Sequence, residues 1–232
     1  METYFYAENL YRVFDSIAID FSCAAQKNSM TVIVGKSGSG KSTVLRLIAG
    51  LEQFSARPDG KIPRIMLDRN DITNTPPGKR NVGMVFQSHA LFSHMNVLEN
   101  VAYGLRTRGV NKKDAHEKAA LMLEQLGLAG FEKRSPATLS GGEAQRVSLA
   151  RTLIVQPHLV LFDEPLSSLD APLRKHLADD IRKSQARAQF TGVFVTHDIA
   201  EAKTIADTII VMETGKKKWQ GAPSDFCEEM IG

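Results

Sequence analysis

Several features are scarce in these 232 residues. No apolar run approaches the roughly 18–20 residues needed to span a bilayer, so work at a membrane would need other chains. Cysteine occurs only at Cys23 and Cys227, far apart and without metal-type spacing. That pattern fits reduced thiols in a cytosolic protein better than a disulfide scaffold or a zinc site. The opening METYFYAENLYRVFD carries acids early and has no apolar stretch of its own, so no secretory signal is read there. Net charge is only +3, and the longest basic block is Lys216-Lys217-Lys218, which gives no case for nucleic-acid binding. Repeats, low-complexity tracts and flexible linkers are also missing.

What remains is ordinary globular composition, with 43% hydrophobic and 24% charged residues in a chain long enough to bury a substantial core. Short β-branched runs alternate with longer helical patterns, which predicts an α/β domain with a mainly parallel sheet. Candidate core strands are Thr31–Val34, Val82–Phe86, Leu159–Phe162, Val193–Thr196 and Thr208–Met212, apolar enough to be covered on both faces. Helical patterns follow at Lys41–Leu51, Pro172–Arg187 and Asp198–Ala206. Between Val97 and Val155 the periodicity is helical throughout. Within it, Asn111–Leu128 sets Ala115, Ala119, Met122, Leu123 and Leu126 on one face behind Asn111 as N-cap. This predicts one domain over 1–232 with a helical sub-domain inserted at about 88–155. Ser55–Lys61 and Thr75–Gly78 read as loops.

The strongest chemical signal is Gly35-Lys36-Ser37-Gly38-Ser39-Gly40-Lys41-Ser42, a full G-x-x-x-x-G-K-[ST] match between a strand and a helix. Glycines there let backbone N–H groups and the helix N-terminus face phosphate. Lys41 would reach the β- and γ-phosphates, and the Ser42 hydroxyl would ligate Mg²⁺. A phosphate cradle alone does not separate kinases from ATPases. Leu159–Phe162 then delivers Asp163 and Glu164 at a strand tip. Asp163 suits Mg²⁺, and Glu164 suits a general base acting on water. A small-molecule kinase would not need that second carboxylate. Gln87, after VGMVF, could touch Mg²⁺ or the water, and His197, after VFVT, could contact the γ-phosphate. The other five histidines read as structural.

The order GKSGSGKST, Gln87, LSGGEAQR, LVLFDEP, Ser167–Asp170 and His197 resembles the ATP-binding subunit of an ABC transporter, over about residues 10–221. The resemblance implies a P-loop NTPase (RecA-like) core with an N-terminal antiparallel β sub-domain and a helical sub-domain. It maps Gly35–Thr43 to Walker A, Gln87 to the Q-loop, Asp163 and Glu164 to Walker B and the base, and His197 to the switch histidine. It also implies that two subunits meet head to tail. Each would offer Ser140, Gly141, Gly142 and Glu143 of its signature motif, and Asp170 of its D-loop, to the ATP of the other. An aromatic residue should stack on adenine; Phe14, followed by Asp15 where the family often has glycine, is the first choice and Tyr11 the second.

Further implications concern partners. The second ATPase subunit would be another copy of the chain or a similar one. Gln87–Leu105 lies where the family docks two membrane-spanning permease subunits, and Leu91, Phe92, Met95 and Val97 could form an apolar groove or serve as ordinary core. A solute-binding protein and a place at the cytoplasmic face of the membrane follow from the importer pattern. Asn74–Arg80 is similar to the branch importing sugars, polyamines, thiamine, oxyanions and ferric iron, and compact length, TPP, LFSHMNV and WQG look most like the thiamine-type subunits. The chain as read to Gly232 leaves out the C-terminal regulatory domain many members carry. The rival classes are a soluble ABC ATPase uncoupled from transport and a P-loop kinase, which leaves LSGGEAQR and Asp170 unexplained.

One residue in the signature needs its own account. Family members more often carry glutamine at 143. Ser140 and Glu143 have capping-box spacing, so the Glu143 carboxylate should fold back onto its own helix start, away from any phosphate.

Overall fold

The computed structural model describes residues 3–14 and 17–231. In chain order the first elements are β1 (Thr3–Val13), β2 (Ala18–Gln26), β3 (Met30–Val34), α1 (Lys41–Ala49), β4 (Arg64–Leu67), β5 (Asn70–Asp71) and β6 (Val82–Phe86). Three helices follow, α2 (Val97–Thr107), α3 (Lys112–Gln125) and α4 (Gly141–Leu153). Then come β7 (Leu159–Asp163), α5 (Ala171–Ala188), β8 (Thr191–Thr196), α6 (Ile199–Ile205), β9 (Thr208–Glu213) and β10 (Lys216–Gly221). Contacts divide the chain into two compact units. One holds the described residues of Met1–Met84, His158–Glu164 and Ala178–Gly232; the other holds Val85–Pro157 and Pro165–Leu177.

The strand order is β5-β4-β1-β2-β10-β9-β3-β8-β7-β6. β9, β3, β8 and β7 run parallel to their neighbours in that order, and every residue of β3, β7 and β8 is buried. Continuous apolar strands covered on both faces are what their sequences called for. The N-terminal strands β1 and β2 are antiparallel and join the same sheet through a short parallel pairing, Lys216 opposite Asp20. Strand β1 buries Phe5, Ala7 and Leu10, although the last two are three positions apart. The register shifts between them, where Asn9 takes a left-handed φ of 54°, as a bulge requires to turn the next inward residue back to the core.

The predicted strands are all present, each within two residues of its expected ends. α1 stops two residues early, because Gly50 adopts φ 75° and returns its N–H to the carbonyls of Arg46 and Leu47. Strands β4, β5 and β10 have no counterpart among the strands expected from sequence. β10 reads KKKWQG and is mostly exposed, so no hydrophobic period marks it.

The second unit packs α2, α3 and α4 around Val97, Val101, Ala119, Leu123, Val147 and Ala150. Asn111 caps α3 by accepting from the Asp114 N–H. The fully buried Asn100 fastens the preceding loop, accepting from the Phe92 N–H and donating to the carbonyls of Phe92, Met95 and Asn96. No helix among the described residues is long and apolar enough to cross a membrane.

Candidate nucleotide site

The loop between β3 and α1 is shaped by glycine. Gly38 and Gly40 take φ 80° and 99°, a region costly for other residues. A Cβ on Gly35 would meet the Met212 carbonyl oxygen at 2.2 Å, and one on Gly40 would meet Ile19 Cδ1 at 2.1 Å. α1 has no acidic residue in its first turn, so the positive end of its dipole is left uncompensated for an anion. Its other end is held by Arg80, nearly buried, whose guanidinium donates to the carbonyls of Leu47, Ile48, Thr73 and Thr75.

Lys41 is 3% exposed. Its ammonium donates to the carbonyls of Gly35 (2.8 Å) and Lys36 (2.9 Å) and lies 3.5 Å from Glu164 Oε1. Burial pushes its pKa down, while the Glu164 charge opposes that shift. The lysine is thus satisfied by oxygens that a phosphate can replace one for one.

β7 buries Leu159–Phe162 and leaves Asp163 and Glu164 at its tip, both in the same unit as Lys41. Asp163 is 7% exposed, and its Oδ1 is buried with no hydrogen-bond partner. A buried carboxylate oxygen left without a donor is costly unless a cation takes it, and a hard oxygen-seeking ion such as Mg²⁺ fits it. Among the described residues no cluster of three or more His, Cys, Asp or Glu side chains could hold a metal, so the set would be completed by hydroxyl, amide, water and phosphate oxygens.

Glu164 takes φ 44°, and its N–H donates to the Val195 carbonyl of the neighbouring strand. A non-glycine residue held there stores strain, and it turns the carboxylate sideways between two partners. Oε1 faces Lys41, and Oε2 lies 3.0 Å from His197 Nδ1. His197, directly after β8, has a half-exposed side chain.

Beside the P-loop lies a cavity of about 330 Å³ lined by Ile17, Ser37, Gly38, Met212, Thr214 and Ile231, among others. Neither Phe14 nor Tyr11 is among its described lining residues. Phe14 is 41% exposed with Arg12 over its ring, and Tyr11 is covered by Arg57. Asp15 lies outside the described residues.

The second unit holds Gln87, the signature motif and Asp170. Gln87 is exposed. Ser140 is the N-cap of α4 in a complete capping box. The Glu143 N–H donates to Ser140 Oγ (3.4 Å), and Glu143 Oε2 accepts from the Ser140 N–H (2.7 Å). That bond, with Arg134 nearby, holds the Glu143 carboxyl below its ordinary pKa. Ser140 and Gly141 are exposed, whereas Gly142 is buried and a Cβ on Gly141 would come 2.8 Å from Leu169 Cδ2. Asp170 accepts from the Leu173 N–H in the first turn of α5. Of the groove residues, Val97 is fully buried in the helical core and presents no surface. Leu91, Phe92 and Met95 are half-buried.

The family model described as ABC transporter matches residues 19–167. This chain belongs to the ABC transporter family. Among curated ABC proteins, it is 45% identical over 223 residues to the Fe(3+) ions import ATP-binding protein FbpC of Agrobacterium fabrum, covering 95% of the chain and 62% of that protein. It is 42% identical over 226 residues to the spermidine/putrescine import ATP-binding protein PotA of Acetivibrio thermocellus, covering 97% and 62%. The chain therefore spans about three-fifths of the length of these relatives. Among solved structures, cbiO1 from Clostridium perfringens, part of the ABC transporter complex cbiONQ, superimposes with TM-score 0.85 at 24% identity, covering 100% of this chain and 93% of that one. An ATP-binding cassette of an ABC transporter in its ADP conformation gives 0.82 at 26%, covering 100% and 94%.

Two features around the P-loop carry no local signal in the sequence. Arg80 sits in the TPPGKR turn, where nothing local distinguishes it from a solvated cation. The lining by Ile17, Met212 and Ile231 draws on three separate segments.

Proposed function

We propose that this chain binds and hydrolyses ATP to drive import through separate membrane-spanning subunits. The observation that carries this is Glu164 set between Lys41 and His197 at the mouth of a P-loop. ATP phosphates would lie along the N–H groups of Gly35–Thr43, with Lys41 on the β- and γ-phosphates. Asp163, Ser42 and Gln87 would hold Mg²⁺, which supplies neutralisation of phosphate charge. Glu164 accepts the proton of the attacking water at one carboxylate oxygen. Lys41 and His197 then donate to the charge that develops on the γ-phosphoryl oxygens. Phe14, ahead of Tyr11, is assigned to the adenine.

The domain is read as one ATPase unit, 1–232, with the helical sub-domain at about 88–155. It would work as a head-to-tail pair, with itself or a similar subunit. Ser140, Gly141, Gly142, Glu143 and Asp170 of one copy then complete the ATP site of the other. The exposure of Ser140 and Gly141 at the start of α4 supports this, because an accessible helix N-terminus can face a phosphate. Permease subunits are placed near Gln87–Leu105, with a solute-binding protein beyond them and the chain at the cytoplasmic face. No nucleic acid is involved. The thiamine-type features of the sequence stand beside relatives named for iron and polyamine import, and the solute is chosen by the other subunits.

The test is to reconstitute the chain with its co-purifying membrane subunits and measure phosphate release from ATP against candidate solutes. Solute-stimulated release supports the reading. Absence of membrane partners, with release indifferent to any solute, would favour an ATPase uncoupled from transport. A phosphorylated small-molecule product would establish a kinase.

A further inference from the structure

His197 sits between two residues that are tied down from below. Thr196, the last residue of β8, is 2% exposed. Its hydroxyl donates to Glu201 Oε2 at 2.7 Å and accepts from the Asp198 N–H at 2.9 Å. Asp198 caps α6, taking the Glu201 N–H on Oδ1 at 3.0 Å. Glu201 itself is 4% exposed. A carboxylate buried to that degree costs several kcal/mol unless its hydrogen bonds are made, and a helix this short gains little from the charge alone. The arrangement therefore fixes something besides α6. The ring of hydrogen bonds Thr196–Asp198–Glu201 encloses the His197 backbone on both sides, while its imidazole projects to Glu164.

We infer that Thr196 and Glu201 are positioning residues that set the direction of His197 toward Glu164 and the γ-phosphate. The inference rests on the hydrolytic reading of this site. Thr196 is suited to the task because one hydroxyl both donates to the carboxylate and accepts from the N–H after the histidine. Both residues are buried. They act by restricting where the imidazole lies, and misplacement by about 1 Å is enough to cost on the order of a hundredfold in rate.

The test compares Thr196→Val, Thr196→Ser, Glu201→Ala and His197→Ala in the full chain with any co-purifying subunits. It measures phosphate release, ATP affinity and thermal midpoint for each. Valine keeps the shape and loses both hydrogen bonds, whereas serine keeps both. Thr196→Val and Glu201→Ala are expected to lower turnover by about tenfold or more with ATP affinity within about twofold, and Thr196→Ser to restore turnover. Turnover at the wild-type rate in Thr196→Val, with His197→Ala impaired, overturns the positioning role alone. Loss of ATP affinity in step with turnover overturns it too, since that marks general damage to the fold. Wild-type turnover in His197→Ala overturns the reading of the site and this inference together. If Thr196→Val does not fold, Glu201→Ala and Thr196→Ser decide by the same criteria.

Discussion

Glu164 Oε1 lies 3.5 Å from Lys41 Nζ, so the proposed general base and the proposed phosphate-binding lysine form an ion pair. On the proposed reading, ATP would take the lysine from the carboxylate and from the Gly35 and Lys36 carbonyls, leaving Glu164 with its His197 contact and able to turn toward water. Lys41→Met should therefore weaken ATP binding by about tenfold or more, a charge-assisted contact being worth roughly 1.5–3 kcal/mol. Equilibrium binding of a fluorescent ATP analogue checks this, and unchanged affinity would contradict the cradle.

The signature motif makes a second claim. Glu143 accepts from the Ser140 N–H at 2.7 Å, a bond that a glutamine oxygen can also make. Glu143→Gln should change ATPase activity by less than about tenfold, or 1.4 kcal/mol of barrier. A larger gain would mean that the charge repels the phosphate it faces across the proposed dimer. The pH dependence has a definite sign. With its folded pKa depressed, Glu143 stabilises fully above its unfolded pKa and loses that contribution as pH falls through the folded value. Thermal midpoints of the Glu143→Gln variant should accordingly fall less between neutral and acid pH than those of the wild type.

Arg80 should matter for stability. Removing its buried guanidinium leaves the carbonyls of Leu47, Ile48, Thr73 and Thr75 without it at the end of the P-loop helix. Arg80→Met is expected to cost about 3 kcal/mol, lowering the thermal midpoint by roughly 6–12 °C in a chain of this size. A shift under about 2 °C would show that water replaces the clamp.

The two thiols should behave oppositely. Cys23 is buried, which pushes its pKa up to about 12, while Cys227 is exposed. A thiol reagent at pH 8 should modify one cysteine per native chain and the second only on unfolding. Fast reaction of both would place Cys23 outside the core.

Much of this was legible in the sequence for physical reasons. Strands β3, β7 and β8 are buried on both faces, so their apolar runs stand out, and the phosphate loop declares itself because few residues other than glycine fit at 35, 38 and 40. The Ser140–Glu143 capping box was readable because both partners lie within one helical turn. What could not be read depends on distant segments. β10 hides behind lysines whose backbone pairs with β9. The Arg80 clamp spans more than thirty positions between Arg80 and the Leu47 and Ile48 carbonyls. Val97 fits groove or core by sequence and lies in the core, because an apolar residue after a loop reads the same in either role until the packing around α2 is known.

The most direct measurement is phosphate release from ATP by the wild type and by Glu164→Gln, with ATP binding followed in parallel. Glu164→Gln is expected to lose turnover by about 10²–10⁴-fold, the usual contribution of a general base. Its ATP binding is expected to be at least as tight as that of the wild type, because a neutral amide no longer competes with phosphate for Lys41. Turnover at the wild-type rate in Glu164→Gln would contradict the assignment of Glu164 as the base.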